Sequence, residues 1–142
     1  MAVQLTAVMI LAIFYGCYFS KMLAQRRKGI QTDQMGKGKT GEARTIELTM
    51  KVTTLLVPLV ELMSIYQNIS GLPGWVRYMG IALALLGDVV FVISVWTMKD
   101  SWRAGVSETE QTALVTDGIY QLSRNPAFLG FDMVYIGILL MF

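Results

Sequence analysis

The sequence has no histidine and only one cysteine. The absence of histidine removes the usual general base near neutral pH and the commonest metal ligand. With Cys17 alone, neither an intrachain disulfide nor a thiolate metal cluster can form, so we expect no metal. The formal net charge of +2 is too small for the basic field of a nucleic-acid-binding surface, so we expect no nucleic-acid partner.

Charged residues are also scarce. They make up 15% of the chain, against about 25% in a typical soluble domain. Hydrophobic residues make up 54%, and long apolar runs alternate with short polar segments, which is typical of membrane proteins. Basic residues follow the first apolar run instead of preceding it, which argues against a cleaved signal peptide.

The apolar runs predict an all-α integral membrane protein of about four transmembrane helices in a single membrane domain, 1–142. The last run has about 16 residues, which is short for a crossing. The predicted segments cover about 3–23, 48–69, 75–97 and 127–142, with loops over 24–47 and 98–126.

Charge asymmetry between the loops predicts the orientation in the membrane. Residues 20–46 contain seven Lys or Arg and two acidic residues, whereas the turn at 71–74 has no charge. The positive-inside rule then places the N-terminus outside and the loop 98–126 in the cytoplasm. Arg77, near the outer end of the third segment, is predicted to be an interfacial anchor.

Three carboxylates lie within or at the ends of the apolar segments: Glu61, Asp88 and Asp132. An intramembrane carboxylate is costly and raises a functional hypothesis by default. The alternative is that each is neutralised or hydrogen-bonded inside the bundle and fixes helix register, and we favour it for Glu61 and Asp88. The role of Asp132 stays open.

The stretch 101–130 is polar, aromatic and punctuated by glycine, and it leads directly into the last helix. Pro126 suits the first turn of a helix, and Gly118 suits a turn. Arg124 lies just before the helix, where its guanidinium can hold an anionic group, so it is the candidate catalytic residue. From these residues alone, a ligand site and a merely structural loop are equally well supported.

Two blocks in this stretch, 114–120 (LVTDGIY) and 124–130 (RNPAFLG), resemble the signature of the isoprenylcysteine carboxyl methyltransferase family. The resemblance implies an integral membrane enzyme that uses S-adenosylmethionine, with the cofactor-binding loop before the last helix, and a bacterial inner-membrane location. Asn125 replaces the commoner histidine of the pattern, and Phe128 replaces tyrosine. The cofactor-binding residues implied by position are Thr112, Ala113, Leu114, Val115, Tyr120, Asn125, Pro126, Ala127 and Phe128.

The family pattern also continues, with a further helix and an acidic stretch, beyond the position of Phe142. We therefore expect little turnover from these 142 residues as they stand. The expected partners are membrane lipids and a lipidated or amphipathic small substrate.

The chemistry of the acceptor separates the functional hypotheses. A carboxylate is already nucleophilic at neutral pH, whereas an ammonium must first lose a proton. Because the loop offers no obvious base, we favour methylation of a lipidated cysteine carboxylate or a similar amphipathic acid. The alternatives are a phospholipid amine N-methyltransferase and a non-enzymatic membrane transport or assembly protein.

Overall fold

The computed structural model describes residues 1–104 and 114–142, and every regular element in them is helical. Two short 3₁₀ helices, Lys99–Ser101 and Gly118–Gln121, stand between the third and fourth α-helices. The predicted all-α class is therefore confirmed. The α-helices are α1 (Ala2–Arg27), α2 (Gly41–Gln67), α3 (Gly74–Met98) and α4 (Pro126–Met141).

Among the described residues, α1, α2 and α3 are long and apolar enough to cross a membrane, and α4 is a shorter apolar helix of 16 residues. Large apolar side chains such as Leu55, Leu59 and Val60 are exposed on α2. In a membrane protein such exposure is expected, because lipid and not water surrounds these surfaces.

Two helices extend beyond the apolar runs that predicted them. Helix α1 continues to Arg27, and α2 begins at Gly41 instead of about Leu48, so the first connection covers 28–40 and not 24–47. The reason is that hydropathy detects only the membrane-embedded part of a helix. Residues such as Glu42, Ala43 and Arg44 favour helix and carry it on into the polar region.

The four α-helices alternate in direction. The side-chain amide of Gln4 donates to the carbonyl of Ile65 (2.8 Å), which places the start of α1 beside the end of α2. The guanidinium of Arg77 lies 5.2 Å from the ring centroid of Phe142, which places the start of α3 beside the end of α4. The connections 28–40, 99–104 and 114–125 therefore share the opposite end of the bundle, called the loop end below.

Helices α3 and α4 pack most closely, and they do so through glycines. A Cβ added at Gly87 would lie 2.9 Å from the carbonyl oxygen of Gly130, and one at Gly137 would lie 2.6 Å from the Cβ of Ala84. Such backbone approach is possible only between small residues, and it is a common way for membrane helices to associate. The close packing of α3 against α4 fixes the position of the first turns of α4.

Candidate functional site

A cavity of about 710 Å³ lies at the loop end, between α2 and α4. Its walls combine polar groups from the helices and connections with aromatic rings from α1, α4 and the connections. The aromatic side chains that line it are Tyr18, Trp102, Tyr120, Phe128, Phe131 and Tyr135.

The second signature block lines this cavity where α4 begins. Pro126 occupies the first turn of α4 as predicted and is buried, while Asn125 stands at the N-cap position without a capping hydrogen bond from its side chain. The proline suits this position because the first turn has no intrahelical acceptor for its missing N–H. Around it, Arg124, Ala127 and Phe128 reach the cavity together with Asn125.

The first signature block is divided. Tyr120 lines the cavity, whereas Leu114 and Val115 do not, and Leu114 is 89% exposed. Thr112 and Ala113 lie outside the described residues. The cofactor contacts expected of residues 112–115 therefore stay predictions.

Tyr120 is positioned by a short 3₁₀ helix that begins at Gly118. The backbone of Gly118 is left-handed (φ +58°), a conformation that glycine adopts without strain. The hydroxyl of Tyr120 lies 3.4 Å from the carbonyl oxygen of Ser94, to which it donates. Burial raises the pKa of Tyr120 to about 12, so the phenol remains a neutral hydrogen-bond donor near neutral pH.

Hydrogen bonds join the connection 28–40 and the end of α1 to the connection 99–104. The buried side-chain amide of Gln25 donates to the carbonyl of Trp102 (3.0 Å) and accepts from the hydroxyl of Thr32 (2.6 Å). The backbone N–H of Ala104 then donates to Thr32 (2.9 Å), and that of Gln34 donates to Ala104 (2.8 Å). Trp102 and Ala104 both line the cavity, so the first connection determines the shape of one wall.

Both signs of charge surround the cavity. Arg103 and Arg124 lie on its wall with Glu47 and Asp132. Glu47 accepts from the backbone N–H of Gly36 (2.7 Å) and forms an ion pair with Lys39. The wall can therefore hold an anionic group at an arginine and a cationic group at a carboxylate.

Helix α2 supplies cavity residues that the signature could not reveal. Met50, Thr54 and Val57 recur at helical spacing along one face of α2 and line the cavity. The hydroxyl of Thr54 donates to the carbonyl of Met50 (2.8 Å), as threonines in helices often do. A run of threonines in an otherwise apolar helix was the available signal, but it does not distinguish a cavity wall from a lipid-facing surface.

Part of the chain is similar to a known protein family. Residues 75–142 match the family model for phospholipid methyltransferase. The phospholipid methyltransferase match covers α3, both signature blocks and α4, and it supports a membrane methyltransferase without determining the acceptor. No curated protein and no solved structure matches the chain significantly.

The matched region does not include everything that lines the cavity. Tyr18 of α1, Met35 of the first connection and the face of α2 all lie outside residues 75–142. The elements most similar to phospholipid methyltransferases thus supply one side of the cavity, and the N-terminal half supplies the other.

Two intramembrane carboxylates lie deeper in the bundle. The residues Glu61 and Asp88 are 6% and 4% exposed, and among the described residues their carboxylate oxygens accept no hydrogen bond. Of the two expected arrangements, the hydrogen-bonded one is therefore not present in the described part of the chain, and the neutralised one stays a prediction. Asp132, in contrast, is exposed and lies on the cavity wall.

Proposed function

We propose that the chain is a membrane methyltransferase that binds S-adenosylmethionine at the cavity wall formed by Tyr120, Asn125, Ala127 and Phe128. One observation carries the proposal: the signature residues that the structure brings to a single cavity belong to the region that matches phospholipid methyltransferases. The same region leads directly into α4, whose first turns form the wall.

The volume of the cavity and its polar groups suit S-adenosylmethionine. Its volume of about 710 Å³ falls within the roughly 300–1,000 Å³ typical of small-molecule sites. The amide of Asn125 and the hydroxyl of Tyr120 offer hydrogen bonds to the polar parts of a nucleoside or amino acid. When bound, S-adenosylmethionine supplies an electrophilic methyl group on a cationic sulfonium.

The chain's own residues favour that positive charge. The face of an aromatic ring attracts a nearby cation by roughly 0.5–2 kcal/mol. Tyr120 and Phe128 are the aromatic residues of the two signature blocks, and both line the cavity.

We propose that the acceptor is an amphipathic molecule that enters from the lipid between α2 and α4. Only Glu61 and Ile65 of α2 are buried, so this helix leaves the side of the cavity loosely covered. The first candidate is the carboxylate of a lipidated, isoprenyl cysteine or of a similar acid. The guanidinium groups of Arg103 and Arg124 can hold such a carboxylate, and Arg124 is the one we assign to the reaction.

A phospholipid head-group amine is the second candidate, and two observations favour it. The matched family is described as phospholipid methyltransferase, and the carboxylate of Asp132 lies on the cavity wall. An ammonium must lose a proton before its nitrogen forms a bond to the methyl carbon. Asp132 is exposed at the wall and can accept that proton.

Binding of S-adenosylhomocysteine to the detergent-solubilised protein, measured by calorimetry, tests the cofactor site. We expect saturable binding by the wild type and its loss in a Tyr120→Ala, Asn125→Ala double variant. Leu122→Ala is the matched control, because Leu122 is an 89% exposed loop residue that does not line the cavity. Equal binding by the double variant would refute the assignment.

The acceptor is then identified by transfer of labelled methyl. The protein is incubated with labelled S-adenosylmethionine and either an S-isoprenyl cysteine or an amine-headed phospholipid in mixed micelles. Label that mild base releases as methanol, by hydrolysis of a methyl ester, indicates the carboxylate. Base-stable label that stays with the lipid head group indicates the amine.

A further inference from the structure

The face of α4 that lines the cavity continues beyond the second signature block. Phe128, Asp132 and Tyr135 follow one another at spacings of four and three residues, so they share one face of α4, and all three line the cavity. Asp132 is the only charged residue of α4. It lies one helical turn, about 6 Å, beyond Phe128, so a carboxylate stands next to the proposed cofactor wall.

Two hydrogen bonds from α1 show which part of α2 lies at the depth of this carboxylate. The hydroxyls of Tyr15 and Tyr135 are 3.0 Å apart, so these two residues lie at one depth. The amide of Gln4 is bonded to the carbonyl of Ile65 in α2. From Gln4 to Tyr15 the chain runs about 16 Å along α1 towards the loop end. The same length of α2, counted back from Ile65, leads to Thr54, which is therefore level with Tyr135.

The depth of Asp132 follows from the same alignment. Asp132 precedes Tyr135 by three positions, so it is level with the part of α2 around residue 51. Thr49 and Thr53 flank that level, each about 3 Å away along the helix axis. They are four residues apart, so they share one face of α2, and both line the cavity. Two hydroxyls of α2 and a carboxylate of α4 therefore line the cavity at a common depth.

All three groups are hydrogen-bond acceptors. The hydroxyl of Thr49 donates to the carbonyl of Thr45, and that of Thr53 donates to the carbonyl of Thr49, each at 2.9 Å. A hydroxyl has one hydrogen and two lone pairs, so each of these oxygens can only accept from a ligand. Among the described residues, none forms a hydrogen bond or an ion pair with the carboxylate of Asp132. This part of the cavity therefore suits a ligand group that donates hydrogen bonds.

We propose that Asp132, Thr49 and Thr53 bind the ribose hydroxyls of the cofactor, an assignment that rests on the proposed function. The ribose joins the adenine to the carbon chain that carries the sulfonium, so it lies beside the groups that hold both. Its two adjacent hydroxyls donate to a carboxylate and to neighbouring hydroxyl oxygens. Acidic side chains bind a ribose hydroxyl in this way in dinucleotide-binding sites.

The other donor groups of the cofactor match these acceptors less well. The ammonium of the amino-acid part shares its carbon with a carboxylate, which the charge of Asp132 repels. The amine of adenine lies beside a ring nitrogen that accepts hydrogen bonds, and this part of the cavity offers that nitrogen no donor. The ribose hydroxyls carry no charge and can rotate to donate.

The assignment also bears on the acceptor of the methyl group. With its carboxylate bonded to the ribose, Asp132 is not available to take a proton from an ammonium. A carboxylate acceptor needs no such step and is therefore favoured. Thr49 and Thr53 lie outside residues 75–142, so the N-terminal half of the chain contributes to cofactor binding.

Calorimetry on the detergent-solubilised protein tests the assignment with S-adenosylhomocysteine and its 2′,3′-dideoxy analogue. We expect the wild type to bind the analogue about tenfold more weakly, because the analogue cannot donate to the charged group. Asp132→Asn should bind S-adenosylhomocysteine about tenfold more weakly than the wild type does, and the analogue with unchanged affinity. The preference for the ribose is then lost, because both changes remove the same interaction.

A second variant guards against misfolding of Asp132→Asn. The double variant Thr49→Val, Thr53→Val nearly keeps the side-chain shapes and removes the hydroxyl oxygens. It should bind S-adenosylhomocysteine severalfold more weakly and the analogue with unchanged affinity. Thr45→Val is the matched control, because the hydroxyl of Thr45 makes the same kind of hydrogen bond (3.2 Å) outside the cavity. Glu42→Gln, which removes an exposed carboxylate of α2 outside the cavity, is the control for charge.

Equal affinities of the wild type for the two ligands would overturn the proposal. An undiminished preference for the ribose in Asp132→Asn, or an equal loss of affinity for both ligands in the two test variants, would also overturn it. If the wild type bound neither ligand, the cofactor site itself would be refuted, and the assignment of Asp132 with it. Binding of the dideoxy analogue therefore separates a failure of the ribose contacts from a failure of the proposed function.

Discussion

The side-chain amide of Gln25, at the end of α1, donates a hydrogen bond of 3.0 Å to the backbone carbonyl of Trp102, 77 residues away in the chain. Gln25 is 1% exposed and also accepts from Thr32, so one buried amide joins the two connections at the loop end. Because Trp102 lines the cavity, this amide links the N-terminal helix to the proposed site.

Gln25→Ala should therefore impair both stability and cofactor binding. The substitution leaves the buried hydroxyl of Thr32 and the carbonyl of Trp102 without this partner, at a cost of about 1–3 kcal/mol. We expect a lower Tm and weaker binding of S-adenosylhomocysteine, measured by thermal unfolding and calorimetry. Arg26→Ala, at the exposed neighbouring position, is the control. An unchanged affinity of Gln25→Ala for S-adenosylhomocysteine would show that these hydrogen bonds do not shape the cofactor site.

A second prediction concerns the close contact of α3 and α4. In Gly87→Ala the new Cβ would lie 2.8 Å from the backbone nitrogen of Val134, so the helices must separate. Overpacking of this kind costs about 1–3 kcal/mol. The control is Gly16→Ala in α1, where the added Cβ meets nothing within 4 Å. Thermal unfolding in detergent should show a lower Tm than wild type for Gly87→Ala but not for Gly16→Ala. Equal Tm values for the two variants would contradict the close packing of α3 against α4.

These two contacts illustrate what the sequence could and could not predict. The four apolar segments and the start of α4 at Pro126 follow from local signals, namely hydropathy and the preference of proline for a first turn. The hydrogen bond between Gln25 and Trp102 has no local signal, because a glutamine near the end of a helix usually faces solvent. Its partner is determined only by the packing of the whole bundle.

The candidate site was predicted in part for the same reason. The signature blocks identified Tyr120, Asn125 and Phe128, which do meet in one cavity. They could not identify the face of α2 that closes the cavity, since that face is a threonine-containing stretch of an ordinary membrane helix. The contribution of α2 to the cavity depends on the alignment of α2 with α1 and α4, which hydropathy does not specify.

A third prediction follows from the buried phenol of Tyr120. Its ordinary pKa of 10 is raised to about 12 in the folded protein by desolvation. Between those pH values the unfolded chain releases this proton more readily, so folding loses the contribution of Tyr120 as pH rises from about 10 to 12. Below pH 10 the contribution is fully present.

Tyr120→Phe cannot ionise and should lose less stability over that pH range. We expect the Tm of Tyr120→Phe to rise relative to that of the wild type as pH rises from 9 to about 11.5. Tyr66→Phe is the control, because the side chain of Tyr66 is 87% exposed. A Tm difference that stays constant with pH would contradict the burial of the phenol.

The last prediction concerns Pro58, which lies inside α2. Replacing this proline with alanine restores an N–H that can donate to the carbonyl of Thr54, and it removes the clash of the ring with that carbonyl. Pro58→Ala should therefore raise the Tm of the protein, measured by thermal unfolding in detergent. Pro73→Ala is the control, because Pro73 precedes α3 and its replacement restores no hydrogen bond inside a helix. A Tm of Pro58→Ala equal to or below that of the wild type would show that the carbonyl of Thr54 is already satisfied by another donor, because only the acceptor freed by proline depends on residue 58.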